Sequence, residues 1–223
     1  MKRLTNNIRI YAVILLISVF PAIIQAGGRQ ETERYSENFF ALGTVCTISF
    51  DVDRNGNAAG SGLQAEEVFN QAEDIIKGIE NEMSVNIKSS YISRVNKAAG
   101  GKPVGVSDDT ARVIEAGIEY SGLSSGAFDI SIGPLVSLWG IGDEGASVPE
   151  REAAAAALTL VDYRLVEVDL DAKPMPEIFL PRAGMRIEPG GIAKGFAADK
   201  TAEYLSSIGI ESALINLGGN VLA

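Results

Sequence analysis

Histidine is absent from this chain of 223 residues, cysteine and tryptophan occur once each, and lysine and arginine number 19 against 29 acidic residues. Without an imidazole there is no histidine base and no histidine-ligated metal in these residues. A single cysteine excludes an internal disulfide, and Cys46 reads as a buried strand residue. The formal net charge of −10 disfavours nucleic acid and anionic lipid as partners, so a phosphate-bearing ligand must be held by local donors or a metal ion. Neither glycine (24) nor proline (8) dominates any tract, which argues against a collagenous or disordered chain. What is present is 46% apolar content, enough for one sizeable core or two small ones.

Long apolar runs are also missing, with one exception. Lys2, Arg3 and Arg9 precede an apolar stretch from Ile10 to Ile24 and a small-residue site at Ala26-Gly27. That order predicts a secretory signal over 1–26, and the run falls short of the roughly 20 residues of a membrane-spanning helix. The expected location is therefore periplasmic, at the extracytoplasmic face, with membrane association through the N-terminus as the alternative to cleavage. Residues 27–40 are polar and read as a tether.

From Thr44 to Asp53 the alternation of Cys46, Ile48, Phe50 and Val52 predicts a half-buried strand, closed by the turn residues Asp53 to Asn57. Over 65–83, Val68, Ala72, Ile75, Ile76, Ile79 and Met83 recur at helical spacing. A second helix is predicted after the Ser107-Asp108 cap, ending near Gly122. A third follows Ser147-Val148-Pro149-Glu150, read as a capping box, into the alanines 153–157. Strand-like segments recur at Leu165–Leu170, Ile178–Leu180, Met185–Ile187 and Leu214–Leu217. This mixture lacks a βαβ rhythm and predicts an α+β fold, helices on a mostly antiparallel sheet.

Three segments carry more than packing needs. Gly126 to Gly140 sets Asp129 and Trp139 in an apolar, glycine-broken stretch, either a slot for a flat ring or a core segment in which Asp129 caps a turn. Met185 to Asp199 runs from a short strand through Gly190-Gly191 into a helix beside Lys194. That order suits a phosphate, although a tight strand-to-helix turn explains it equally well. Glu188 could bind a ligand hydroxyl or cap the helix dipole. Leu214 to Asn220 is a buried-type strand ending in Gly218-Gly219, a close-approach site or a plain hairpin turn.

Taken in order with Leu42-Gly43-Thr44, Met83-Ser84 and Arg94-Val95-Asn96, these segments resemble the ApbE family, the FAD:protein FMN transferases. The resemblance covers residues 40–223, giving a domain over 41–223. It implies a T-fold-like α+β protein that takes FAD and Mg²⁺ and passes the FMN half to a threonine hydroxyl of an exported flavoprotein, releasing AMP. It implies Leu42, Asn86, Ala127, Phe128 and Asp129 as FAD contacts, Glu188 and Lys194 on its polar groups, and the Gly191 carbonyl as one Mg²⁺ ligand. Asn86 stands where many members carry an aromatic ring, and Glu188 where aspartate is common. Members also continue past the position of Ala223, with a His-x-x-Asp-Pro segment and side chains that complete the metal site. These 223 residues alone are thus expected to be inactive or weak. The alternatives are a Mg²⁺-dependent FAD pyrophosphatase and a non-catalytic exported flavin binder.

Overall fold

The computed structural model describes residues 32–142 and 144–223; the predicted signal lies outside them. Strand β1 (Glu33–Ala41) pairs antiparallel with β2 (Thr44–Val52), from Glu33 opposite Val52 to Ala41 opposite Thr44. Helix α1 (Ala65–Met83) follows, then α2 (Tyr91–Ala98), the short strand β3 (Val104–Gly105) and α3 (Asp108–Leu123). Helices α4 (Gly133–Trp139) and α5 (Arg151–Leu158) precede β4 (Glu167–Asp169) and β5 (Glu177–Phe179). Helix α6 (Ala193–Ser207) leads into β6 (Ala213–Leu217) and β7 (Asn220–Leu222). Two antiparallel sheets result, β1-β2-β6-β7 and β3-β5-β4. The α+β expectation holds.

Cys46, Ile48 and Phe50 of β2 and Ile215 and Leu217 of β6 are fully buried. Helices α1 and α6 pack on one another and against this sheet. The bounds of α1 coincide with its apolar spacing, and Ala65 and Phe69 join its buried stripe. At α3 the Ser107 side chain accepts from the Thr110 N–H, as the cap residue predicts.

Several expectations need correction. The polar stretch read as tether is, from Glu33 onward, strand β1. Being a sheet edge with one face in solvent, it turns mainly Tyr35, Phe39 and Ala41 inward, and Glu37 breaks their alternation. Tyr35 stacks on Phe50 at 5.3 Å and Phe39 meets Phe69 edge-on at 5.7 Å, so packing rather than pattern fixes the strand. No capping box forms at α5, where Glu150 is the cap residue without a side-chain bond and the Ser147 N–H donates to Trp139 O. Leu165–Leu170 divides into a 3₁₀ turn at Tyr163–Leu165 and β4. Met185–Ile187 is not a strand; it makes a single parallel bridge, Arg186 with Ile132. Helix α2 was not expected at all, because eight residues are too few to show a period.

Candidate active site

The β1–β2 hairpin turns on Leu42 and Gly43, with φ of 53° and 68°. This is the type I′ pattern that fits a two-residue loop to the twist of its strands. Asparagine is the usual first residue, whereas leucine at positive φ costs about 1 kcal/mol. The strained side chain lies at the mouth of a cleft of about 550 Å³, a volume suited to a small organic ligand.

One wall of the cleft is the end of α1 with the loop after it, Ile79, Glu80 and Met83 leading to Ser84 through Ile87. Glu188, Pro189, Gly190, Ala193 and Lys194 form another part of the lining, and Ile141 with Gly142 completes it. Leu42, Asn86, Glu188 and Lys194, which the resemblance implies as cofactor contacts, line this one cleft. The lining of α1 was marked only by Met83-Ser84, and Ile141 lies just past the Gly126–Gly140 segment, so the signal stopped one residue short.

The Glu188 segment is held from two directions. The Glu188 N–H donates to Ile130 O at 2.9 Å, and the side-chain oxygen of Glu188 accepts from the Gly190 N–H at 3.2 Å. Burial pushes the Glu188 carboxyl up from its ordinary value of 4.5, against the opposing pull of the Gly190 N–H, Arg186 and Lys194. Pro189–Gly191 forms a 3₁₀ turn and α6 begins at Ala193 with no side-chain cap. First-turn N–H groups, the positive end of the helix and the Lys194 ammonium therefore converge on one wall, a favourable place for a phosphate.

Phe128 sits behind this wall. A Cβ on Gly191 would lie 2.9 Å from Phe128 Cε2, so only glycine lets the turn and the ring approach this closely. Ala127 and Asp129 do not line the cleft. Asp129 Oδ1 accepts from the Ser131 N–H (2.8 Å) and hydroxyl (2.6 Å), and Oδ2 from the Tyr163 N–H (3.3 Å). Of the two readings of that carboxylate, turn capping is the one these bonds satisfy. Gly218-Gly219 likewise makes the β6–β7 hairpin turn, with the Gly219 N–H bonded to Asn216 Oδ1.

A Mg²⁺ ion asks for near-octahedral oxygen coordination. Among the described residues no three His, Cys, Asp or Glu side chains gather to hold a metal, so the chain by itself does not fit the ion. Nor is any helix of the described residues long and apolar enough to cross a membrane.

The structure is an antiparallel α+β frame with a cleft of about 550 Å³ beside the start of a helix. The sequence matches the ApbE family over residues 42–223, and the chain belongs to that family. An FAD:protein FMN transferase of Treponema pallidum is 32% identical over 211 residues, 94% of this chain and 57% of that protein. One from Klebsiella pneumoniae is 40% identical over 156 residues, 70% of this chain and 48% of that protein. The solved flavin transferase ApbE from Vibrio cholerae superposes with a TM-score of 0.75 at 25% identity, covering 86% of this chain and 59% of that one. The ApbE protein of Thermotoga maritima gives 0.73 at 28% identity, covering 85% and 58%. The chain thus spans about half to three-fifths of the relatives' length.

Proposed function

We propose that this chain forms the FAD-binding portion of an exported FAD:protein FMN transferase. The observation that carries the reading is the cleft of about 550 Å³ on whose wall Lys194 and the uncapped start of α6 meet Glu188, in a chain of the ApbE family. The pyrophosphate lies against the α6 start and Lys194, and Glu188 takes a ligand hydroxyl or ring nitrogen. In the reaction, a threonine oxygen of the acceptor flavoprotein bonds to the FMN phosphorus, the bond from that phosphorus to the bridging oxygen breaks, and AMP leaves. The threonine proton departs with the products. Lys194 and the helix dipole offset charge on the pyrophosphate, and Leu42 and Met83 exclude water from one side.

Mg²⁺ is the cofactor that the family resemblance implies; the Gly191 carbonyl would offer it one ligand, and the ion would offset charge on the pyrophosphate. Since the described side chains do not complete its shell, the work of this chain is binding and orientation. Export through the signal at 1–26 places the reaction at the extracytoplasmic face.

The test is chromatography of FAD incubated with Mg²⁺ and a threonine-bearing acceptor, using this chain and a version extended to the length of the relatives. AMP together with FMN on the acceptor is the expected outcome for the extended form. Free FMN without acceptor would establish the pyrophosphatase instead, and bound FAD without AMP in both forms would establish a flavin binder.

A further inference from the structure

We propose that α2 is a strut that sets the spacing of two parts of the cleft lining, with Asn96 as the positioning residue for Glu188 and Ser93, with Ser90, for the loop that carries Asn86. Near the C-terminal end of the helix the Asn96 amide pairs with both backbone groups of one residue, Ile187. Its Nδ2 donates to Ile187 O at 2.9 Å and its Oδ1 accepts from the Ile187 N–H at 2.7 Å. These partners are 91 residues apart in sequence. Ile187 directly precedes Glu188, so the side chain does for this segment what a neighbouring strand would do, in a stretch that makes only a single bridge.

At the other end, the Ser90 hydroxyl donates to Ser84 O at 2.6 Å and accepts from the Ser93 N–H at 3.0 Å. The Ser93 hydroxyl donates to Val85 O at 3.0 Å. The Asn86 N–H in turn donates to Ser84 Oγ at 3.2 Å. Between the two ends, Ile92 and Val95 are buried in the core and fix the helix in place. A helix packed along its middle and bonded at each end to a different part of the cleft lining holds the loop that carries Asn86 and the segment that carries Glu188 to one common support.

Packing alone gives no reason for this chemistry. Asn96 is only 8% exposed, asparagine is a weak helix former, and a buried amide is costly unless both its ends are paired. An apolar residue would fill the position more simply. The amide is justified by the backbone it holds.

The consequence for ligand binding rests on the flavin reading; the mechanical coupling does not, so it is measured first on the ligand-free chain. Backbone amide exchange is followed by NMR in Asn96→Ala and Ser93→Ala. The control is Thr201→Val, which removes a buried α6 hydroxyl bonded to Ala197 O, with rates compared at equal distance below each melting temperature. Asn96→Ala is expected to speed exchange at Ile187 and Glu188 and also at Asn86, by about tenfold. Ser93→Ala is expected to reach Glu188, and it keeps the question open to measurement if Asn96→Ala does not fold. If each variant loosens only the wall it touches, or if the control moves the same amides, the strut is refuted. In FAD titrations the two strut variants then bind about tenfold more weakly while the control binds as the parent does. Strut variants that bind as tightly as the parent would also refute the proposal. A parent that binds no FAD would remove the flavin reading, with the exchange result still deciding the strut.

Discussion

Helices α1 and α5 are both simple in sequence, yet they are helical for different reasons. Seven of the nineteen residues of α1 are buried, on one stripe that meets α6 and the sheet. In α5, a run of alanines, none is buried. Its own Leu158 and, before it, Trp139, Ile141 and Val148 remain exposed. Tertiary packing holds α1, whereas intrinsic propensity accounts for much of α5. The cleft lies beside the packed pair α1 and α6: both helices contribute to its lining, and the α4–α5 excursion contributes only Ile141 and Gly142. Precision is needed where ligand atoms must be placed, and close packing provides it.

The sharpest way to test this difference is to hollow out α1. Ile76 is fully buried, and Ile76→Ala is expected to cost about 2–5 kcal/mol of unfolding free energy through lost burial and the cavity left behind. Urea unfolding measures it; a loss below about 1 kcal/mol would mean that α1 is not packing-held.

The same contrast explains what could be read in the sequence. Elements whose buried face repeats regularly, β2 and α1, were legible to within a residue. Elements whose inward face does not repeat were not. Strand β1 is an edge whose alternation Glu37 breaks, and Met185–Ile187, which reads as a strand, is held instead by a side chain 91 residues away. The site was half legible in the same sense. Leu42, Asn86, Glu188 and Lys194 meet in the cleft, whereas Asp129 makes the turn hydrogen bonds that were one of its two readings. Phe128 acts from behind, against Gly191.

That contact gives the next largest effect. Gly191→Ala places a methyl 2.9 Å from the Phe128 ring, an overpacking expected to cost roughly 1–3 kcal/mol and to shift the start of α6. Thermal unfolding and FAD titration should fall together. If affinity holds while stability drops, the phosphate wall is not set by this contact.

In the loop after α1, Asn86→Tyr adds a ring at the cleft lining. Stacking on the flavin is expected to tighten FAD binding by about 0.5–1.5 kcal/mol. Unchanged affinity in a fluorescence titration would place the isoalloxazine elsewhere.

Glu188 gives a smaller, pH-dependent effect. Its folded-state pKa is raised above 4.5 by burial, so the native state binds the proton more tightly than the unfolded chain. The stability this contributes is complete below the unfolded value and is lost as pH rises through the folded one. Glu188→Gln removes the titration. Relative to the parent, the variant should therefore gain in melting temperature as pH rises above 4.5 and through the folded-state pKa, with no such gain at lower pH. A parallel pair of curves would show that Glu188 titrates normally.

The smallest expected effect lies in α5. Ala155 is exposed in a helix with no buried residue. Ala155→Gly costs about 1 kcal/mol of local helix propensity. With no residue of α5 buried, it is expected to open locally ahead of the rest, so that cost should appear as faster amide exchange over 151–158 and not in the global transition. Melting temperature and FAD affinity should match the parent. A cooperative loss of stability as large as that of Ile76→Ala would show instead that α5 is integrated with the core through α4, and the division between a packed, site-bearing half and a propensity-held flank would fail at its weakest member.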